Sequence, residues 1–234
     1  MGLFETQIQE GRILSKLPQF RRKVENARSD IREMLYRAPA AYVALSWGKQ
    51  SSVLAHLVYA INPTILGVFW RGAETDIIAD FNTVRDTFLT AWPMPYIEEF
   101  CAYDFKRQAR EWSREHSMQG VFIGMVSEES KKRKYALGKA DAQNIYAYTD
   151  GFLRSCPLKT WSNLDIAAYV ATHNIPMLSI YRRYGFDART SARIKRDGTS
   201  YTERGYEYLS RSQQIRLDAL QKETPHELQS HLSA

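Results

Sequence analysis

A short apolar segment, a serine-rich loop with one glycine and an apolar helix follow one another near the middle of the first half of this chain. Residues Ala41–Leu45 are apolar and few, which is typical of a buried strand. Residues 52–61 are mostly apolar and end at Asn62 and Pro63, where a helix is expected to stop. The pattern predicts strand, loop and helix, with the loop at Ser46–Ser52.

The same strand–helix unit recurs downstream. Strands are predicted at 64–70, 96–98, 120–124 and 152–154, and helices at about 76–91 and 103–118. Because each helix in such an alternation must cover a face of the sheet, the pattern predicts an α/β fold. We expect a Rossmann-like parallel sheet with helices on both faces, and ligands at the carboxyl ends of the strands.

Three regions are predicted along the chain. Residues 1–38 have the spacing of two helices broken near Pro18, and residues 39–180 are predicted to form the α/β domain. Within that domain, Ser162–Asp165 resembles a capping box that opens a helix running to about Asn174. Residues 181–234 are a basic, mainly helical or irregular tail that belongs to the same compact unit.

The loop Ser46–Ser52, called the phosphate loop below, has the composition of an anion site. Backbone N–H groups and the positive end of the helix dipole attract phosphate at such a position. Gly48 allows close approach, the serines add hydroxyl donors and Lys49 adds a positive charge. The common pattern G-x-x-x-x-G-K-[ST] fails, because Val43 stands at its first glycine and Gln50 follows the lysine.

The segment Ser46-Trp47-Gly48-Lys49-Gln50-Ser51 instead resembles the PP-loop, S-G-G-K-D-S, of the N-type ATP pyrophosphatases (adenine nucleotide alpha hydrolases) and of their phosphoadenosine phosphosulfate (PAPS) reductase-like branch. Three later segments are similar to further motifs of that branch. They are Trp70–Thr75 after the second strand, Gly124–Arg133 after a later strand, and Cys156–Ile166 with its P-L-x-x-W sequence.

The resemblance implies a nucleotide site. Catalytic roles fall to Lys49, Ser46 and Arg133. Nucleotide or phosphate contacts fall to Ser46, Trp47, Gly48, Lys49, Gln50, Ser51, Ser52, Trp70, Gly72, Glu74, Thr75, Gly124, Glu129, Ser130 and Arg133. The implied ligands are ATP or a related adenine nucleotide, with Mg²⁺. Trp47 replaces a family glycine and Gln50 replaces the family's acidic residue, so no metal ligand can be assigned.

Three functions remain open from the sequence. In the first, ATP is split into AMP and pyrophosphate and a substrate is adenylylated, in sulfur transfer or in nucleic-acid modification. In the second, the chain is a PAPS reductase or sulfotransferase-type enzyme, against which stands the lack of a cysteine after Cys156. In the third, which Gln50 favours, the chain is a non-catalytic nucleotide sensor or binding module.

The two cysteines, Cys101 and Cys156, are too few for a four-cysteine iron–sulfur cluster, and none is expected. Cys156 lies near Arg154 and Lys159 and is a candidate reactive thiol, whereas Cys101 is expected in the core. The five histidines fall at no metal-ligand spacing and are expected on helix surfaces.

The net charge of +6 favours anionic partners. A nucleotide is the expected ligand, and a nucleic acid or a partner protein is considered as acceptor; a homo-oligomer is considered too. Cations and aromatic residues in the tail would suit a nucleic acid or the acidic end of a nucleotide: Tyr181, Arg182, Arg183, Tyr184, Arg189, Arg193, Lys195 and Arg196. No apolar run reaches membrane-spanning length, and we expect a cytoplasmic protein.

Overall fold

A computed structural model of the chain describes residues 2–71, 80–100, 105–129, 137 and 144–187. Its α-helices are α1 Leu3–Leu14, α2 Pro18–Arg37, α3 Lys49–Tyr59, α4 Phe81–Ala91, α5 Phe105–Glu115, α6 Asn163–His173 and α7 Ser179–Tyr184. Its strands are β1 Ala41–Leu45, β2 Leu66–Arg71, β3 Tyr96–Phe100, β4 Gly120–Ile123, β5 Ile145–Ala147 and β6 Leu153–Ser155.

The six strands form one sheet in the order β3-β2-β1-β4-β6-β5. All neighbouring pairs are parallel except β5 and β6, which are antiparallel. The α/β class with a mostly parallel sheet is therefore confirmed. The antiparallel edge strand β5 departs from the parallel sheet that the sequence predicted. With three residues it is too short to show a period of its own, and only its pairing with β6 defines it.

The order of the strands creates a crevice at the carboxyl end of β1. From β1 the chain moves outward through β2 to β3 and then returns to place β4 on the other side of β1. The connections after β1 and β4 therefore diverge at this point, which is where ligands bind in open α/β sheets. The phosphate loop follows β1 directly.

Helices cover both faces of the sheet, as predicted. The larger core lies on the face covered by α2, α3, α4 and α6, with α1 packed on α6. On the opposite face, Trp112 of α5 packs with Tyr42, Val68 and Val121 of three neighbouring strands. This arrangement places α3, and with it the phosphate loop, on the more deeply buried side.

Local sequence explains where two of the helices begin. Pro18 occupies the first turn of α2, where its missing N–H costs nothing, and Phe20, Ala27 and Ile31 form a buried stripe along that helix. In α6, the Ser162 side chain accepts a hydrogen bond from the Asp165 N–H while the Asp165 side chain accepts one from the Ser162 N–H. The predicted capping box is thus confirmed.

His56 is a correction to the expectation that the histidines lie on helix surfaces. Its side chain is 9% exposed and its Nδ1 lies 2.9 Å from the Tyr169 hydroxyl of α6. Every residue of α3 from Lys49 to Val58 is buried, so this helix has no surface stripe for a polar side chain to occupy.

None of the described helices combines the length and the hydrophobicity that crossing a lipid bilayer would require.

Candidate nucleotide site

The phosphate loop leaves β1 and turns sharply into α3. Trp47 has a φ of 51°, in the left-handed region that non-glycine residues rarely adopt. Its ring is fully buried and lies edge-on to Phe88 of α4, with the ring centroids 5.4 Å apart, and 5.7 Å from the ring of Tyr96 in β3. The family glycine at this position is thus replaced by a residue whose side chain anchors the loop in the core.

The serines hold the loop closed on itself. The Ser51 hydroxyl donates to the Gly48 carbonyl at 3.1 Å and accepts from the Ser46 N–H at 3.2 Å. The Ser46 and Ser51 hydroxyl oxygens are also 3.1 Å apart. These bonds within the loop fix the turn without any contribution from a ligand, so the first N–H groups of α3 keep a constant direction.

Two buried polar atoms in the first turn of α3 mark the position as suited to an anion. The Gln50 Nε2 and the Ser52 Oγ have no hydrogen-bond partner within the part of the chain that the structure describes. Buried donors are normally paired, and leaving one unpaired costs about 1–3 kcal/mol. Both groups can donate to a phosphate oxygen, and the residues present therefore fit a phosphate group.

Gly124 brings the segment after β4 against the phosphate loop. A Cβ atom at Gly124 would lie 2.8 Å from both the carbonyl carbon and the oxygen of Gln50, and 2.9 Å from the Ser51 Cα. Only glycine permits this approach of two backbones. The structure thereby joins two of the segments that the sequence had singled out, one after β1 and one after β4.

Tyr181 of α7 closes the loop from the other side. The Lys49 N–H donates to the Tyr181 hydroxyl at 3.2 Å, and the Lys49 Nζ lies 5.4 Å from the centroid of the Tyr181 ring. Lys49 and Tyr181 are each 1% exposed. The tyrosine oxygen therefore occupies the position at the helix N-terminus where an anion oxygen would bind.

Residues of α1 and the residue before α4 hold α7 and the segment after it in this place. Phe186 stacks on Tyr181 and also on Phe4 of α1, at centroid distances of 6.3 Å and 5.4 Å. The Phe186 N–H donates to the Gln7 side chain at 2.7 Å, and the Ser179 N–H donates to the carboxylate of Asp80. No sequence signal indicated the contact of Tyr181 with the loop, because 132 residues separate it from Lys49.

Other predicted site residues are placed differently or lie outside the described residues. The Trp70 ring packs against Trp112 on the sheet face opposite α3. The backbone of Glu129 lies in a short turn, Ser127–Glu129, after β4. Outside the described residues lie Gly72, Glu74, Thr75, Ser130, Arg133, Cys101 and the tail beyond residue 187.

Cys156 is fully buried next to the edge of the sheet. Its sulfur accepts a hydrogen bond from the Tyr146 hydroxyl at 3.3 Å, and its N–H donates to the Asn144 carbonyl at 2.9 Å. A reagent or substrate could therefore reach this thiol only after a local rearrangement of the structure. Within the described ranges, no three His, Cys, Asp or Glu side chains are grouped closely enough to hold a metal ion.

The Tyr181 hydroxyl is expected to compete with an anion for the Lys49 N–H. We expect Tyr181→Phe to bind inorganic pyrophosphate about 2- to 10-fold more tightly by calorimetry, since the ligand no longer displaces a hydrogen bond from the Lys49 N–H. Tyr169→Phe is the matched control, because it removes a hydroxyl bonded to the same helix at His56. Weaker binding by Tyr181→Phe would show that the hydroxyl assists the anion.

Comparison with known proteins supports the resemblance. Residues 85–188 match the family model of the phosphoadenosine phosphosulfate reductase domain. This span contains the segments after β4 and β6 but begins after the phosphate loop. No curated protein sequence matches the chain significantly.

Solved structures share the fold. A PAPS reductase from Candida auris, in a phosphate complex, superposes with a TM-score of 0.52 at 11% identity, covering 78% of this chain and 93% of its own. The FMN adenylyltransferase of Candida glabrata, in complex with FAD and pyrophosphate, superposes with a TM-score of 0.57 at 14% identity, covering 76% of this chain and 70% of its own. Yeast FAD synthetase in complex with FAD superposes with a TM-score of 0.53 at 15% identity, covering 77% of this chain and 72% of its own. The resemblance to the PAPS reductase domain is thus confirmed over residues 85–188, and the solved structures show that the chain shares their fold.

Proposed function

From the PAPS reductase-type domain at residues 85–188 and the PP-loop fold around it, we propose that this chain binds an adenine nucleotide with its phosphates at the phosphate loop. The observation that carries the proposal is the pair of buried, unpartnered donors among the described residues, Gln50 Nε2 and Ser52 Oγ. They lie in the first turn of α3, at the sheet crevice where β1 and β4 diverge.

The proposed reaction splits ATP between its α and β phosphates. An acceptor oxygen attacks the α phosphorus and forms an O–P bond, while the bond to the bridging oxygen breaks and its electrons leave with pyrophosphate. The acceptor loses its proton to solvent. The N–H groups at the start of α3 and the Lys49 ammonium would stabilise the charge that develops on the leaving pyrophosphate. Mg²⁺, when bound, would supply further charge neutralisation.

The likeness of the fold to an adenylyltransferase crystallised with pyrophosphate supports this version. At 14% identity the likeness concerns the fold, so the reaction needs a direct assay. We expect labelled ATP with Mg²⁺ to give AMP and pyrophosphate, once an acceptor is supplied. ADP and phosphate would contradict the proposal.

Binding can be tested without the acceptor. Lys49→Ala is expected to weaken ATP binding at least about tenfold, since a charge-assisted hydrogen bond contributes about 1.5–3 kcal/mol. Ser46→Ala should weaken it too, because the Ser46 hydroxyl helps to hold the loop turn. Lys16→Ala removes an exposed cation away from the loop and serves as the control. Unchanged ATP affinity in both loop variants would overturn the site.

A PAPS reductase or sulfotransferase-type activity is the second candidate, favoured by the matched domain itself. Thiol-dependent release of sulfite from PAPS would establish it. Cys156 is the only cysteine among the described residues and is fully buried, so Cys156→Ser tests whether it takes part.

A nucleotide-binding module without turnover is the third candidate, and the neutral, buried Gln50 favours it. An amide can hold a phosphate but cannot balance the charge of a metal ion as a carboxylate would. If wild type binds ATP without turnover and Gln50→Asp releases pyrophosphate, the module is the better description. Turnover by the wild type would exclude it.

A further inference from the structure

A basic cavity lies at the amino ends of the strands, at the end of the sheet opposite the phosphate loop. It has a volume of about 730 Å³ and is lined by residues that precede β4 and β6 and by the ends of α2 and α5. The phosphate loop follows the carboxyl end of β1, whereas this cavity lies at the amino ends of the neighbouring strands. The length of β1, roughly 16 Å, separates the two positions.

Three arginines from two helices converge on the cavity. Arg37 ends α2, and Arg110 and Arg114 lie one turn apart on α5. Asp150 is the one carboxylate among the lining residues; it pairs with Arg110 and lies 3.6 Å from Arg114. Glu33, one turn before Arg37, reaches Arg37 at 3.4 Å. The lining therefore carries an excess of positive charge and favours an anionic ligand.

Aromatic rings lie beside these cations. The Arg110 guanidinium lies over the Phe152 ring at 4.2 Å and over the Tyr148 ring at 5.0 Å. Arg110 is thus held by a carboxylate and two rings, which gives its planar group a fixed orientation. The Tyr148 side chain is 43% exposed, so part of its ring is open to solvent next to the cavity. A free phosphate would use only the guanidinium groups.

We propose that this cavity, lined by Arg37, Arg110 and Arg114 and flanked by Tyr148, binds single-stranded nucleic acid. In this proposal the arginines contact successive phosphates and a nucleobase stacks on the Tyr148 ring. Single-strand binding surfaces use this combination of cations and aromatic rings. The site is distinct from the phosphate loop, so a nucleotide and a strand can be bound together. The proposal does not depend on what the phosphate loop does with ATP.

The test is fluorescence anisotropy of a labelled 15-residue oligothymidylate with the full chain. The double variant Arg37→Ala/Arg114→Ala should weaken binding and reduce the slope of log affinity against log salt by about 1.4, or 0.7 for each lost phosphate contact. Tyr148→Ala should weaken binding at least about fivefold. Arg107→Ala, on the same helix but paired with Glu111 and outside the lining, is the matched control.

Inorganic polyphosphate distinguishes a nucleic acid from any polyanion. If polyphosphate binds as tightly as the oligonucleotide and Tyr148→Ala changes neither affinity, the nucleic-acid assignment is wrong. An equal loss in Arg107→Ala, or no binding by wild type, overturns the site. Lys49→Ala should leave oligonucleotide binding unchanged, and the double variant should leave ATP binding unchanged, so a failure of either site is seen separately. Circular dichroism and melting curves of the variants exclude unfolding as the cause.

Discussion

Trp47→Ala is expected to lower the free energy of unfolding by about 3–5 kcal/mol, the usual range for removing a large aromatic side chain from a core. The ring is fully buried between Phe88 and Tyr96, so alanine leaves a cavity where β1 passes into α3. Urea unfolding followed by circular dichroism measures the change.

Trp47→Gly separates the contribution of the ring from that of the backbone. Glycine loses the same packing but adopts the φ of 51° without strain, and should therefore be about 1 kcal/mol more stable than alanine. The expected order of stability is wild type, glycine, alanine. An alanine variant as stable as the glycine variant would show that the loop relaxes out of this conformation.

His56 is expected to make the protein sensitive to mild acid. Burial, and then the nearby charges of His173 and Arg28, lower the pKa of His56 from 6.5 to about 4. The folded protein keeps this side chain neutral while the unfolded chain takes up a proton below pH 6.5, so stability is lost as pH falls. The loss is about 2 kcal/mol at pH 5 and about 3 kcal/mol below pH 4.

His56→Asn tests this assignment. Asparagine can still bond the Tyr169 hydroxyl but does not titrate, so the variant is expected to be less stable near neutral pH and to have a flatter pH dependence. The quantity to compare is the difference in unfolding free energy between pH 7.5 and pH 5. If that difference is the same in both proteins, another group controls the acid sensitivity.

Local signals in the sequence predicted most of the elements correctly. The Ser162–Asp165 capping box acts over three residues. In the β1–α3 unit, a short apolar strand gives way to a longer apolar helix after a loop of a few residues. The PAPS reductase-like resemblance likewise rests on short motifs. These features are visible because the interacting groups are near neighbours in the chain, and their chemistry does not depend on the rest of the fold.

What the sequence could not predict depends on contacts between distant residues. His56 is buried because the sheet and neighbouring helices together cover α3, which the helix's own apolar spacing does not reveal. Tyr181 reaches Lys49 across 132 residues, and β5 exists only through β6. The assignments of Ser46, Lys49 and Gln50 to the nucleotide, and the division at residues 38 and 180, remain predictions.

The contacts of α7 have a consequence for the order in which the chain folds during synthesis. The Lys49–Tyr181 and Gln7–Phe186 hydrogen bonds close segments of 132 and 179 residues, the second of them nearly the whole described chain. Such long loops form late in folding, because their entropy cost comes before their contacts can stabilise the structure. We therefore expect a nascent chain to display an open phosphate loop on a formed sheet until residues 179–187 leave the ribosome.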